Sequence, residues 1–216
     1  LKVFKDFRNY LGNAYLNFAE PIDLDTFLKG HVDEYSISSP KEKPEWLQEV
    51  TTKLGQDVIK SINNSVAVTS TSLFSLALLT SSTQAMSEED LMSRIKFFMD
   101  LIENSLDYKD VWITQTDIEE MIIKTEKLGF ISPSFVSSKK VYRPTSDQVA
   151  TLSFYKNNIA HLYILYSLIC ESIKFVKSAS EEDITNLLIM IYPIFAKDFH
   201  LKKNTTNAET IREAMG

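Results

Sequence analysis

Residues 149–176 read VATLSFYKNNIAHLYILYSLICESIKFV. Apolar side chains fall at Leu152, Tyr155, Ile159, Leu162, Tyr166, Ile169, Ile173 and Val176, in alternating steps of three and four. That spacing keeps one face of a helix continuously apolar. A second line, Asn158, His161, Leu165, Leu168 and Ser172, runs beside it and sets polar groups into the surface. With neither Gly nor Pro inside, the stretch predicts the longest unbroken helix of the chain, about 146–176. Most other patterns are shorter helices able to pack around it, so the expected fold class is mainly α.

Working outward from that helix, the chain reads as follows. Leu1–Leu11 predicts the end of a helix stopped by Gly12. Ala14–Phe18 is a strand candidate that Glu20-Pro21 ends. Its alternation sets Tyr15 and Asn17 against Leu16 and Phe18, so one face expects a sheet. One strand cannot form a sheet alone; the expectation is an irregular segment, or pairing with another copy or with residues 135–142. Asp23 is the expected N-cap of a brief helix through Leu24, Phe27 and Leu28. Residues 36–44 form a loop, and Pro44 suits the first position of a helix carrying Leu47, Val50, Leu54, Val58 and Ile62 on one face. Ser72–Leu79 is apolar on almost every side, as in a helix buried all round.

Ser87 caps an acidic first turn, Glu88-Glu89-Asp90, with Leu91, Ile95, Phe98 and Ile102 as its inner stripe. Thr116 and Glu119 have capping-box spacing, and Gly129 marks a stop. Residues 130–144 read as irregular or briefly extended. Ser180 caps a further helix, which Pro193 should kink by removing a backbone donor. From Lys202 the polar tail is expected to fray.

Composition narrows the function classes. The 216 residues are 44% hydrophobic and 24% charged, as in ordinary globular proteins. A net charge of −6, with 23 basic residues scattered among 29 acidic ones, speaks against a nucleic-acid partner, because neutralising phosphates takes clustered Lys and Arg. The sole cysteine, Cys170, permits no internal disulfide and reads as a small buried side chain. The most apolar run, Ile159–Cys170, is shorter than the roughly 20 residues that cross a bilayer, so the chain by itself reads as soluble. It does not begin with Met and reads as a piece of something longer.

Catalytic constellations are hard to find. Three histidines, His31, His161 and His200, do not converge with other ligands at metal-binding spacing, so no metal and no cofactor are expected. The five glycines are isolated, which leaves no phosphate-cradling loop. One polar insert stands out, Lys156-Asn157-Asn158 with His161. Asn157 and His161 lie four apart and share a helix face, either as part of a site or as satisfied polar groups in a helical core.

The segment SFYKNNIAHLYILYSLI, Ser153–Ile169, resembles the Y-R-N-N-I-x-H-L segment of the bacterial membrane-associated glycerol-3-phosphate acyltransferases. AYLNFAEPI, Ala14–Ile22, resembles the V-N-F-G-E-P-I segment that closes that family's acyltransferase domain. Ser61-Ile62-Asn63-Asn64 with Val68-Thr69 is similar to its R-I-N-N … V-T region, and Ile191-Tyr192-Pro193-Ile194 to its L-Y-P helix. The matches keep family order over about nine tenths of the chain. Three positions depart: Ala19 for Gly, Lys156 for Arg, and Ser61 for Arg, the last losing a guanidinium fork able to hold a phosphate.

The family's catalytic His followed five residues later by Asp is absent. Ser36, Tyr166 and Thr205 stand five residues after the three histidines. The resemblance therefore implies the part of the enzyme downstream of the active site. Residues 1–24 would be the tail of the α/β acyltransferase domain, ending in a strand remnant, and 25–216 a helical C-terminal domain. The whole enzyme would move an acyl chain from acyl-CoA or acyl carrier protein to the sn-1 hydroxyl of glycerol 3-phosphate. It would sit peripherally on the cytoplasmic face of the inner membrane, and the chain's partner would be the upstream catalytic domain. The rival is a non-catalytic helical module docking a carrier protein or a lipid surface.

No catalytic residue is expected in this chain. The family-motif positions expected to shape the site or the domain interface are Asn17, Phe18, Glu20, Pro21, Asn63, Asn64, Tyr155, Lys156, Asn157, Asn158 and His161. Among them, Lys156 and Asn157 are expected exposed, and Asn158 satisfied inside. His161 is expected partly buried on the same strip, bonded to Asn157 or a backbone carbonyl, and its loss is expected to lower activity more than stability.

Overall fold

The computed structural model describes residues 12–32, 43–105, 108, 110–145, 147–175, 180–201 and 208–215. The helix expected over Leu1–Leu11, most of the loop over 36–44, and Val176 lie outside them. In chain order the elements are α1 (Leu24–Lys29), α2 (Leu47–Asn64), β1 (Ala67–Val68), α3 (Ser70–Leu79), β2 (Met86–Ser87), α4 (Glu88–Glu103), β3 (Trp112–Ile113), α5 (Ile118–Lys127), β4 (Ile131–Val136), β5 (Lys139–Pro144), α6 (Val149–Ala160), a 3₁₀ turn (His161–Tyr163), α7 (Ile164–Phe175), α8 (Glu181–Asp198) and α9 (Ala208–Met215). The protein is mainly α, as expected.

Its centre is α3. Every residue from Ser70 to Leu78 is buried, and the helix packs against α4, α5 and α6. A capping box starts it: the Thr69 hydroxyl accepts from the Ser72 amide, and the Ser72 hydroxyl accepts from the Thr69 amide. Around α3 a first core gathers Leu73, Phe74, Leu91, Ile95, Met121 and Ile159.

The long helix expected over 146–176 is not unbroken. It divides into α6 and α7 at the 3₁₀ turn, because its two halves serve different cores. Ile159, Leu162 and Tyr163 belong to the first core. Leu165 and Ile169 belong to a second, with Ile184, Leu188 and Tyr192 of α8 and Ile211 of α9. Three residues wound at three per turn instead of 3.6 rotate the following face by about 60°. The buried line accordingly moves from Leu152–Ile159–Leu162 to Leu165–Ile169–Ser172, and Ile173 is left 52% exposed. The same rotation corrects the reading of Cys170, which is exposed rather than buried.

Residues 130–144 form a β-hairpin where an irregular segment was the expectation. β4 and β5 pair antiparallel, Ile131 opposite Pro144 and Val136 opposite Lys139, and β2 adds to β5. The turn residues Ser137 and Ser138 both have positive φ, 50° and 67°, the left-handed pair that a tight hairpin needs. Sequence usually announces that turn with Asn-Gly, and two serines give no such signal. Tyr142 of β5 is fully buried, stands edge-on to Phe74 at 6.2 Å, and donates to Glu88 of α4 at 3.0 Å.

Ser87 and Asp23 cap as expected, and Gly129 sits at φ 74° just past α5. The cap of α5 is Asp117, which accepts from the Glu120 amide, and not Thr116. α2 begins at Leu47, three residues after Pro44. Of its expected inner face only Val50 is buried, while Val58 and Ile62 are 40% and 64% exposed. The tail does not simply fray, because 208–215 form α9 with Ile211 fully buried. Helix α8 runs through Pro193 after a capping box between Ser180 and Asp183. Ser180→Ala is expected to cost about 1 kcal/mol, read as a lower urea midpoint with an unchanged slope; an unaltered midpoint would show that α8 does not need this cap.

Candidate functional site

Three of the segments singled out from sequence meet around the junction of α2 and β1. The first, residues 12–23, holds no strand; Ala14–Phe18 is irregular, one of the expected outcomes. It is fixed by its odd residues. The Tyr15 ring stands edge-on to Trp112 at 5.6 Å, and Asn17 Nδ2 donates to the Ser65 carbonyl at 2.9 Å and the Asp110 carbonyl at 3.3 Å. The even residues point away, with Leu16 81% and Phe18 85% exposed. Glu20 and Pro21 are exposed as well.

The second segment is the end of α2. Asn63 donates through Nδ2 to the Phe199 carbonyl at 3.0 Å, tying α2 to the end of α8. Its own carbonyl accepts from His161 Nε2 at 3.0 Å. Asn64 is half-buried beside it.

The third is the α6 motif. His161 is buried, 7% exposed, at the 3₁₀ turn. Burial in apolar surroundings holds its imidazole below the ordinary value, and the Asn63 carbonyl offsets part of that by favouring the proton. Tyr108 donates to the His161 carbonyl at 3.4 Å, and Tyr163 donates to the Phe98 carbonyl at 3.1 Å. Burial pushes the Tyr163 phenol up. Tyr155 is half-buried against Phe130, ring centres 5.6 Å apart.

The expected strip of Lys156, Asn157 and His161 does not form one surface. Asn157 is exposed as expected, but Lys156 is half-buried and His161 is in the core. Asn158, expected inside, is exposed. The physical reason is the turn at 161: His161 follows the α6 apolar face inward, and the two asparagines remain on the outer side of the last α6 turn. His161 does bond a backbone carbonyl. That bond is structural, so the expectation that losing His161 would spare stability is reversed. Sequence reasoning missed Thr69–Thr71 and Lys124, which with Tyr15 and Tyr155 line a cavity of about 80 Å³ at the start of α3. The only signal for them was the capping pattern Thr69-x-x-Ser72.

Among the described residues no three His, Cys, Asp or Glu side chains are grouped to hold a metal, and no helix is long and apolar enough to cross a membrane. These side chains anchor backbone to backbone and align no nucleophile with a base. The arrangement defines a helical scaffold that holds a conserved-looking set of motifs at one junction, with an apolar front edge left open.

Comparison with known proteins gives that scaffold its family. The chain is 34% identical over 218 residues to the glycerol-3-phosphate acyltransferase of Alteromonas mediterranea, covering 97% of this chain and 26% of the relative. It is 30% identical over 205 residues to that of Actinobacillus pleuropneumoniae serotype 3, covering 93% and 25%. It thus spans about a quarter of the length of the curated relatives it matches. Residues 1–215 match the family described as "Glycerol-3-phosphate acyltransferase C-terminal region", and the chain belongs to it.

Proposed function

We propose that this chain is the helical C-terminal part of an enzyme that acylates the sn-1 hydroxyl of glycerol 3-phosphate, with acyl-CoA or acyl carrier protein as donor. Its relatives carry that enzyme's name. The observation that carries the reading is the front edge. Tyr15 and Asn17 clamp residues 12–23 onto the helical body while Leu16 and Phe18 stand almost wholly in water. Large side chains so exposed, alternating with anchored ones, suit the last segment of a sheet whose other strands come from upstream. On this reading residues 1–24 close the acyltransferase domain and 25–216 buttress it. Asn17, Asn63 and His161 hold the junction from within. Phe18, Glu20, Pro21, Lys156, Asn157 and Asn158 present side chains toward the upstream domain, and Asn64 and Tyr155 back them.

The whole enzyme would work peripherally at the cytoplasmic face of the inner membrane, where its lipid product is used. The chain itself would then have no acyltransferase activity. Purified chain incubated with glycerol 3-phosphate and palmitoyl-CoA is expected to form no lysophosphatidate above a no-protein control. Clear turnover would place the chemistry within these residues and overturn the reading.

A further inference from the structure

The cavity at the start of α3 carries features its structural role leaves unexplained. Helix α3 contains several Ser and Thr side chains, and most are used. The Thr69 and Ser72 hydroxyls bond each other and the cap backbone, and the Ser75 hydroxyl donates to the Thr71 carbonyl at 2.6 Å. Ser70 and Thr71 differ. Each residue is more than nine-tenths buried, at 7% exposed, yet neither hydroxyl bonds to a described residue. Among the described residues no fully enclosed side-chain oxygen or nitrogen lacks a partner. Both hydroxyls are therefore reached by solvent, and the opening they line is this cavity.

The backbone there is equally unspent. The Ser72 amide is taken by Thr69, and the next amide, Leu73, bonds the Thr69 carbonyl. The Ser70 and Thr71 amides are the first two of the helix and have no intrahelical acceptor. They lie at the positive end of a helix of 10 residues. Lys124, paired with Glu120 at 2.9 Å on its outer side, contributes its side chain to the same wall. No carboxylate is among the described lining residues. Two free amides, two free hydroxyls and an ammonium converge with no acceptor to meet them, in a space of about 80 Å³. Donors alone, in a small enclosed volume, select a compact anion with several acceptor oxygens.

We propose that this cavity binds a phosphate group, held by the Ser70 and Thr71 amides and hydroxyls and by Lys124. The group comes either from free phosphate or from a small phosphate monoester. This inference does not depend on the proposed acyltransferase role, because its readout is binding.

The test is an amide chemical-shift titration of the ¹⁵N-labelled chain with inorganic phosphate, at constant ionic strength set by chloride. The Ser70 and Thr71 resonances are expected to move saturably. Ser70→Ala with Thr71→Val keeps the helix and removes both hydroxyls, and is expected to weaken binding about tenfold or more. Lys124→Gln, on the half-buried rim, should weaken it several-fold. A parallel titration with glycerol 3-phosphate separates the sources: tighter binding of the ester assigns a monoester, and equal or weaker binding assigns free phosphate. Shifts that stay linear, or an affinity unchanged in Lys124→Gln, would overturn the proposal, and the second outcome is readable even if the double variant fails to fold.

Discussion

Replacing His161 by alanine is expected to destabilise the protein by about 2–4 kcal/mol. The imidazole is 7% exposed and its Nε2 donates to the Asn63 carbonyl at 3.0 Å. Its loss leaves a buried carbonyl without its donor and a hole where α6 turns into α7. The same substitution loosens the end of α2, since Asn63 also reaches the Phe199 carbonyl, so the two cores should part more easily. A chain of this size is expected to melt about 5–15 °C lower, and a change within about 1 °C would show that the bond contributes nothing net.

Acidity provides a second readout of the same residue. Desolvation lowers the folded His161 below the ordinary imidazole value of about 6.5. The unfolded chain therefore takes up a proton at higher pH than the folded one does. Stability from this group is complete above about pH 6.5 and is lost as pH falls through the lower folded value. Wild-type melting temperature should decline between pH 7 and pH 5. His161→Ala should show a shallower decline over that window, and parallel curves would exclude His161 as its source.

The second large effect is expected at Phe74. Its side chain is fully buried at the centre of α3 and meets the Tyr142 ring edge-on at 6.2 Å. Phe74→Ala is expected to cost about 3–5 kcal/mol, through lost burial and the cavity left among helices that cannot collapse onto it. Because Tyr142 belongs to β5, the hairpin should loosen along with the first core. Hydrogen exchange is the discriminating measurement: protection should fall in α3, α4 and β5 well before it falls in α8. Uniform loss across both cores would show that the two clusters unfold as one unit, and a loss under about 1 kcal/mol would mean that the site repacks freely.

Local rules fixed much of this molecule before any packing was seen. Ser87, Asp23 and Ser180 cap their helices because a short side-chain oxygen beside an orphan amide is a local bargain. Helix α3 declared its burial by being apolar all round, and Gly129 declared a stop by tolerating positive φ. The motif segments were visible too, since residue identity at fixed spacing needs no third dimension.

Tertiary structure decided the rest. The apolar stripe of 149–176 was real, but one straight helix cannot face two cores set at different angles. The turn at His161–Tyr163 re-aims it, burying His161 and freeing Cys170 and Ile173. The hairpin over 131–144 is held by its pairing partners, which outweigh two serines in left-handed conformation. The side of α2 at Val58 and Ile62 reads as a core face and is wet, because periodicity reports that a surface is apolar but not what covers it. The cavity at Ser70 and Thr71 was equally silent in sequence: a hydroxyl left unbonded in a folded chain is a property of its neighbours.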